Sequence, residues 1–333
     1  MKNFLHHLIL TGFLSLFFIL SIIPTSQAQH FIMGGEKVKI EAGLNFGPTF
    51  FLGDLGGHAG KGTTFIKDLN VPLTKLMKGA FIAIYPSEWF GFRIAAQYTY
   101  VEGKDVLIAT KGQDELYRKQ RNLDFKSDMF EAYAAAEIYP LMLLNKNDED
   151  YQPKYRPYAF LGVGMFKFNP KGSITDANGN VTWHELYPLH TEGQGFPEYP
   201  SKKNYALTQV NIPLGGGIKY FASNRVNLAF ELLYRKTFTD YIDDVSTTYI
   251  DPNLFDKYLP PADAIIARQI SDKEFTSYVA GSPRFAPGNQ RGNPKNMDAY
   301  FSFALKFGVR LGDNFNNSTD RNAARKMRCP ARF

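Results

Sequence analysis

A small group of acids and histidines in the second half of the chain could activate a water molecule. Asp240, Asp243 and Asp244 follow an alternating strand pattern, and His184 and His190 precede it. Clustered carboxylates beside a histidine can act as a general base or hold a catalytic metal ion, so a protease-like hydrolase is one candidate. Nothing in the spacing fixes these side chains into one geometry. The pattern therefore favours a solvated loop, in which the acids cap turns and pair with the basic residues just before them.

Residues 176–180 (DANGN) have the acid and amide side chains of a calcium-binding loop. The bidentate glutamate that such a loop needs at its far end is missing, since Glu185 comes too early. Asn178-Gly179 between polar residues is instead the usual signal of a two-residue hairpin. We therefore predict a hairpin here and no metal site.

The segments that position these residues alternate apolar and polar side chains with a period of two. The clearest is 297–311 (MDAYFSFALKFGVRL), a pattern typical of a strand with one apolar and one polar face. Its length and its Phe-rich apolar face favour a strand that crosses a bilayer at a tilt. Seven other segments have strand character: 37–47, 79–85, 90–101, 128–139, 156–168 (apolar on both faces), 207–220 and 225–237.

The connections between these segments alternate in length. Tight turns occupy 85–89 and 221–224, and 141–155 is moderate and polar, whereas the remaining four are long and rich in Gly, Pro and charge. This alternation is typical of outer-membrane barrels, and an even strand count leaves no open edge. We predict an all-β fold, a transmembrane antiparallel up-and-down β-barrel of about eight strands with short periplasmic turns and long extracellular loops. The long loops are 48–78, 102–127, 169–206 and 239–296.

Eight charged residues lie on the polar faces of these segments. A barrel of about eight strands has room inside for side chains but not for an aqueous pore. Because buried charge is tolerated only when paired, we predict compensating ion pairs that fill the lumen. A substrate path is the alternative. The residues are Arg93, Glu131, Glu137, Lys219, Glu231, Arg235, Lys306 and Arg310.

The start of the chain has the features of a secretory signal peptide. Lys2 is followed by an apolar run and by a small-x-small cleavage motif that ends at Ala28. An uncleaved membrane helix is the alternative. After residue 28 no apolar run is long enough to span a bilayer as a helix, so strands must supply the membrane segments. We therefore expect the processed chain in the cell outer membrane, in contact with outer-membrane lipids.

The amino-acid composition agrees with this location and limits the classes of partner that the protein can have. An aromatic share of 15%, with 29 Phe and 19 Tyr, suits a lipid-facing band edged by aromatic girdles. The formal net charge of +6 is too weak to indicate nucleic acid. A single cysteine excludes an internal disulfide framework. We expect no cofactor and no nucleic-acid partner.

A basic tail follows the last strand and should lie in the periplasm. It is either a disordered, solvated end or a docking segment for an acidic partner or a lipid surface. A lone thiol in an oxidising compartment invites an intermolecular disulfide. The candidate docking residues are Arg321, Arg325, Lys326, Arg328 and Cys329. The predicted organisation is thus a signal peptide at 1–28, a barrel at 29–312 and the tail at 313–333.

Five stretches carry a family resemblance. They are 47–55 (GPTFFLGDL), 156–164 (RPYAFLGVG), 185–195 (ELYPLHTEGQG), 212–219 (IPLGGGIK) and 235–246 (RKTFTDYIDDVS). In this order the set resembles the PorG-like outer-membrane barrels of Bacteroidetes, a component of the type IX secretion and gliding motility apparatus. The resemblance implies a small non-catalytic barrel that associates with the ring-forming lipoprotein and its periplasmic partner beneath the outer membrane.

Three functions follow from these patterns. The favoured one is a monomeric structural anchor for a type IX protein secretion complex, which contacts periplasmic ring proteins through 141–155 and the basic tail. The first alternative is a stand-alone surface barrel for ligand binding or adhesion through loops 169–206 and 239–296. The second is a protease-like enzyme at the barrel rim.

Overall fold

The computed structural model describes residues 32–33, 36–55, 73–108, 112–148, 151–274 and 283–311. The chain divides into a first unit, 1–38, and a second unit, 39–333. The first unit contributes a short antiparallel hairpin of β1 (Ile32–Met33) and β2 (Glu36–Lys37). The predicted signal peptide and the basic tail lie outside the described residues.

Eight long antiparallel strands of the second unit form a closed ring. They are β3 (Lys39–Leu52), β4 (Lys75–Tyr85), β5 (Phe90–Lys104), β6 (Asp124–Ile138), β7 (Tyr155–Thr175), β9 (Thr208–Phe221), β10 (Val226–Thr237) and β11 (Ala299–Leu311). Each strand pairs with the next, β7 pairs with β9, and β11 returns to β3. The predicted up-and-down barrel of eight strands is confirmed. Among the described residues, none of the helices has the length and apolar character to cross a membrane.

The ring closes with a stagger. From Phe46, hydrogen-bonded partners lead through β4, β5, β6 and β7 to Thr208 on β9. In the other direction, through β11 and β10, they lead to Ile218 on the same strand. The two routes end ten residues apart, so the strands tilt against the barrel axis as closure requires.

Glycines allow the closest approach inside the ring. A Cβ atom on Gly215 would lie 1.9 Å from the carbonyl oxygen of Leu232 and 2.9 Å from the Phe160 ring. Because Gly215 on β9 has no side chain, there is room for the large inward ring of Phe160 on β7, as expected for a strand glycine beside a close neighbour.

The two ends of the barrel differ. At the end with short turns, helix α2 (Pro140–Leu144) connects β6 to β7. At the other end, the chain forms helix α1 (Gln113–Arg121), strand β8 (Val181–Glu185), which extends β7 as a hairpin, and helices α3 (Asn253–Tyr258) and α4 (Pro261–Ser271). The hairpin predicted at 176–180 is confirmed, with Gly179 at a φ of 82°.

The described parts of the long loops are folded, which their polar sequences did not predict. Residues 181–207, 238–274 and 283–298, here called the cap, carry their own hydrophobic cluster. Its members include Leu189, Phe196, Ile250, Phe255 and Ile270, all buried. These apolar residues are scattered among Gly, Pro and charge, and only long-range packing brings them together.

Candidate functional site

The lumen of the barrel holds a charged network centred on Glu231. The Arg93 Nη1 lies 2.6 Å from its Oε2 atom, and the Lys306 Nζ lies 3.2 Å away. The Tyr158 hydroxyl donates a third hydrogen bond, at 2.6 Å. Arg93 and Lys306 also lie 3.2 Å and 3.8 Å from Glu137. One acid therefore joins β5, β7, β10 and β11 across the barrel axis.

Glu137 links this centre to the end with short turns. It accepts hydrogen bonds from the Tyr85 and Tyr139 hydroxyls, at 3.0 Å and 2.8 Å. Beside them, the Lys219 Nζ donates to Tyr85 at 2.8 Å and lies 3.1 Å from Glu41. This part of the network ties β3, β4, β6 and β9 together.

Glu131 forms a second centre nearer the cap. It accepts from Arg235 Nε at 3.2 Å and from Asn211 Nδ2 at 2.6 Å, and it also bonds to Gln97. Arg235 in turn donates to the Ser302 hydroxyl at 2.6 Å. Every one of these side chains is buried.

The structure places the eight predicted lumen residues as follows. Seven of them point inward and join the network through direct ion pairs. Arg310 lies near the end with short turns, with its guanidinium 4.3 Å from the Phe221 ring centre. The prediction omitted Glu41 as a counter-ion, although its place on the polar face of the first strand pattern marked it as inward. It also omitted Tyr85, Tyr139 and Tyr158, because aromatic side chains do not reveal which face they occupy.

Charge balance and aromatic packing together fill the interior. Four basic residues, Arg93, Lys219, Arg235 and Lys306, meet four acidic ones, Glu41, Glu131, Glu137 and Glu231, all buried. Tyr133, Phe160 and Phe81 lie between them, and Arg93 stacks 4.5 Å from the Phe160 ring centre. Paired and hydrogen-bonded charges can remain in such an interior. The chemistry of this arrangement is structural, because each charge already holds a partner.

The outside of the barrel is apolar on all eight strands. Val163, at the middle of β7, is 71% exposed, and Ile94 on β5 is 68% exposed. An exposed apolar surface of this extent is foreign to monomers in water but is the form of a lipid-facing wall. Other exposed members are Ile40, Leu44, Phe46, Leu76, Ile82, Ile84, Phe92, Phe130, Ile138, Leu161, Met165, Val210, Leu214, Ile218, Leu228, Phe230, Leu305 and Phe307.

Known proteins give limited matches. No protein-family model matches the chain. Omp38, an outer membrane protein of Acinetobacter baumannii, is 28% identical over 162 residues, which are 43% of this chain and 40% of Omp38. The chain thus spans less than half the length of this relative.

Among solved structures, the chain matches outer-membrane proteins at low sequence identity. Ail of Yersinia pestis, in complex with the heparin analogue sucrose octasulfate, covers 82% of this chain and 97% of its own, with 8% identity and a TM-score of 0.31. A major outer membrane protein of Thermus thermophilus covers 83% and 100%, with 10% identity and a TM-score of 0.36.

The closed ring with an apolar outer wall identifies the class of protein. The chain is an outer-membrane β-barrel. Backbone groups can cross hydrocarbon in strands only when the sheet has no open edge, and the ring of eight long strands has none. Outer-membrane barrels have short periplasmic turns and long extracellular loops, so the end with the cap faces the cell exterior and α2 lies on the periplasmic side.

The cap closes the extracellular end of this outer-membrane barrel. Tyr205, Ile242 and Val245 of the cap pack with Phe125 and Tyr300 of the upper lumen. Deeper in the cap, Glu192 accepts backbone hydrogen bonds from residues 246 and 247 and pairs with Arg291 at 3.0 Å. The network below and the cap above leave the lumen filled at both levels.

The acids after β10 are buried in this cap, so the prediction of a solvated loop was wrong. Asp243 accepts hydrogen bonds from the Leu55 and Val245 amides, at 2.9 Å and 3.0 Å. Asp244 accepts from the Tyr205 hydroxyl at 2.7 Å. Asp240 is 4% exposed. The cause is the packing of Ile242 and Val245, which lie among these acids, into the hydrophobic cluster of the upper lumen.

The basic residues expected to pair with these acids lie elsewhere. Arg235 pairs with Glu131 in the lumen, and Lys236 is exposed on the outer wall. His184 is hydrogen-bonded to Thr182 on β8. In the part of the chain that the structure describes, no group of three His, Cys, Asp or Glu residues is arranged to hold a metal ion. The candidate docking residues Arg321, Arg325, Lys326, Arg328 and Cys329 lie outside the described residues.

Burial and mutual repulsion raise the pKa of the cap acids. Burial, with repulsion from Asp243 and Asp54, raises the pKa of Asp240 from 3.8 to about 9. Burial raises the pKa of Asp244 to about 6, and it holds the pKa of Asp243 and of Asp298 well above the usual range. Protonated acids are therefore favoured in the folded cap.

These pKa shifts predict that the stability of the cap depends on pH. A pKa that is raised on folding adds stability that is complete below the unfolded value of 3.8 and is lost as the pH rises through the folded value. We expect the cap to loosen between pH about 6 and about 9. Asp240→Asn should make the cap more stable by about 1–3 kcal/mol at pH 10 and change little at pH 5. Tryptic cleavage within the cap measures this, with Asp263→Asn on α4 as the control, and an equal effect at both pH values would contradict it.

Proposed function

We propose that this outer-membrane barrel is a non-catalytic structural component of a type IX protein secretion complex and contacts periplasmic ring proteins. Two features support the proposal. The five motifs that resemble PorG-like barrels lie in order along the chain, and the filled lumen suits an anchor rather than a conduit. The periplasmic partners that the resemblance implies are the ring-forming lipoprotein and its associated protein.

The periplasmic face carries the observation on which the proposal depends. Helix α2 begins at Pro140 and buries Met142 against the lower lumen cluster. Its other face exposes Leu141, Leu143 and Leu144, the last of which is 79% exposed. An apolar helix face at the water-exposed end of a barrel is a ready contact for a partner protein.

Negative charge introduced on the exposed face of α2 tests whether this face contacts the periplasmic partner. We expect the double variant Leu143→Asp and Leu144→Asp to reduce co-purification of the ring-forming lipoprotein at least tenfold, because carboxylates disfavour an apolar interface. Quantitative pull-down from membranes solubilised in mild detergent measures this. Asn147→Asp serves as the control, because this exposed residue of the same connection lies outside the apolar face. Heat-modifiable mobility on gels confirms folding. Full retention of the lipoprotein by a folded double variant would contradict the role of α2.

A second pull-down separates the helix from the tail. A chain that ends at residue 312 lacks all five candidate docking residues but retains α2. Loss of the lipoprotein only in this variant would place the contact in the tail and leave the anchor role intact. Retention in both variants would argue against the anchor role itself.

A stand-alone barrel for surface binding or adhesion is the second candidate. The observation that favours it is the folded cap, which presents a defined surface instead of solvated loops. An adhesin should tolerate loss of the tail and of the α2 leucines, but it should lose adhesion when cap residues are exchanged. Cell-attachment assays with the α2 and cap variants distinguish the two candidates.

A further inference from the structure

Arg310 is the charged lumen residue that has no counter-charge. Its side chain points inward at the periplasmic end of β11 and is partly buried. Within the described residues its guanidinium forms no hydrogen bond and no ion pair, and it lies 4.3 Å from the Phe221 ring centre. The Nε atom is enclosed without a partner, whereas the two terminal nitrogens are not enclosed. Because the lumen above is filled, these two nitrogens can be reached only from the periplasm.

The acid opposite Arg310 is already engaged by other residues. Glu41 on β3 is the cross-strand partner of Arg310. Its carboxylate, however, accepts hydrogen bonds from Lys219 at 3.1 Å and from Asn227 at 2.9 Å. Glu41 therefore balances Lys219, and Arg310 is left as an extra cation at the end of the charged network.

A second guanidinium packs against the same aromatic ring. Arg156 on β7 lies 4.6 Å from the Phe221 ring centre. It is bonded to Glu88 at 2.6 Å, and that carboxylate also pairs with Lys39. Glu88 is thus engaged as well and does not serve Arg310. We refer to Arg156, Phe221 and Arg310 as the basic mouth of the barrel.

An unpaired guanidinium in this position has a cost for folding. A partly desolvated charge without a hydrogen-bonded partner lowers stability, and buried polar groups in folded proteins are almost always paired. The segment that follows β11, residues 312–333, has five basic residues and two acidic ones. Its net charge therefore adds to that of Arg310. A counter-charge from outside the chain fits the site better.

The basic mouth belongs to the same periplasmic face as the exposed leucines of α2. Arg156 donates to Gln152 Oε1 at 2.6 Å and to the Pro153 carbonyl at 3.3 Å. Both residues lie in the connection between β6 and β7, which also contains α2. Since Arg310 points into the lumen and not toward the outer wall, a lipid headgroup in the surrounding bilayer does not reach it. A protein that contacts α2 approaches the mouth directly.

We propose that the basic mouth receives an acidic side chain from the periplasmic partner protein. The carboxylate pairs with the terminal nitrogens of Arg310, whose planar fork matches a carboxylate with two parallel hydrogen bonds. Phe221 holds the guanidinium in place from its other side. This inference rests on the proposed anchor role, because it names the chemistry by which the partner is recognised.

The variant Arg310→Met separates recognition from folding. We expect it to reduce co-purification of the ring-forming lipoprotein by about tenfold or more, because the partner's carboxylate loses its cation. Its midpoint of urea unfolding should equal or exceed that of the wild type, since an unpaired charge is replaced by an apolar side chain. Lys146→Met is the matched control, because Lys146 is an exposed lysine of the same connection as α2. A purely structural role of Arg310 would instead lower the midpoint.

A second measurement does not depend on the lipoprotein. A fluorescent oligoglutamate peptide is titrated against the purified full-length barrel in mild detergent, with oligoglutamine as the uncharged comparison. We expect Arg310→Met to bind oligoglutamate about fivefold more weakly than the wild type, whereas Lys146→Met binds it as the wild type does. Oligoglutamine should bind none of the three proteins measurably.

The two measurements distinguish failure of this inference from failure of the anchor role. Retention of the lipoprotein by Arg310→Met, with its loss from the α2 double variant, would overturn the basic mouth and leave the anchor role intact. If the wild type captures no lipoprotein, the anchor role fails and the peptide decides: equal affinity of the wild type and Arg310→Met would overturn the mouth too. Stronger peptide binding by Asp313→Asn with Asp320→Asn would show that the chain's own acids fill the mouth, and would likewise overturn the proposal.

Discussion

Replacing Glu231 by glutamine is expected to lower the free energy of unfolding by about 3–5 kcal/mol, because it leaves buried cations without their counter-charge. Glu231 accepts from Arg93, Lys306 and Tyr158 at once, and all four side chains are buried. Glutamine keeps the shape but removes the negative charge. Arg93 and Lys306 would then share Glu137 alone, at 3.2 Å and 3.8 Å.

Urea titration of the barrel refolded in detergent or lipid measures this loss. Glu185→Gln is the control, because that carboxylate lies at the exposed outer edge and accepts from Asn169. A second variant, Glu231→Gln with Lys306→Met, restores charge balance and should recover part of the stability. A loss below about 1 kcal/mol for Glu231→Gln alone would show that the network does not hold the barrel together.

Placing arginine at Val163 is expected to cost about 2–4 kcal/mol in a bilayer, the range for a charged residue on the lipid face near the midplane. Val163 is 71% exposed and lies between Leu161 and Met165, which are also exposed. On a surface in water the same substitution would change stability by roughly 0.5 kcal/mol or less. The solvent around this strand therefore decides the outcome.

Equilibrium folding into lipid vesicles measures the cost at Val163. Asn178→Arg at the tip of the β7–β8 hairpin is the control, since that residue is exposed outside the bilayer and should tolerate the charge. Equal stability of the two variants would contradict a lipid-facing position for Val163.

Strand existence could be predicted from the sequence because burial on one face imposes a period of two. The segment 297–311 became β11, Ala299–Leu311, with Lys306 inward and Leu305 outward, as the alternation indicated. Strand ends were less accurate. β3 continues to Leu52 beyond the predicted end at residue 47, because Pro48 pairs within the ladder with Leu76 although proline usually breaks such patterns.

The register of β7 could not be predicted, because both of its faces are apolar. Tyr158 and Phe160 point into the lumen, where they meet Glu231 and Arg93, and Leu161 points outward. The inward rings are selected by partners on β5 and β10, which local alternation does not contain. The polar face of the first strand marked Glu41 as inward, but its partner Lys219, 178 residues away in the chain, could not be predicted from local alternation.

The fold of the cap could not be predicted from the sequence for a related reason. Its polar, Gly-rich and Pro-rich segments carry scattered apolar residues with no period, so no element pattern marks them. The pairing of Glu192 with Arg291 joins residues 99 positions apart. Such contacts require the long loops to meet at one end of the barrel, which local sequence does not show.

The most direct measurement of the central claim uses a nitroxide label at Ile94→Cys, in a Cys329→Ser background and in lipid vesicles. Ile94 is 68% exposed on the outer wall. We predict frequent collisions of this label with oxygen, which concentrates in hydrocarbon, and few with a water-soluble nickel chelate. A label at Asn178→Cys should show the reverse. Free access of the nickel chelate to the label at position 94 would contradict an outer wall surrounded by lipid.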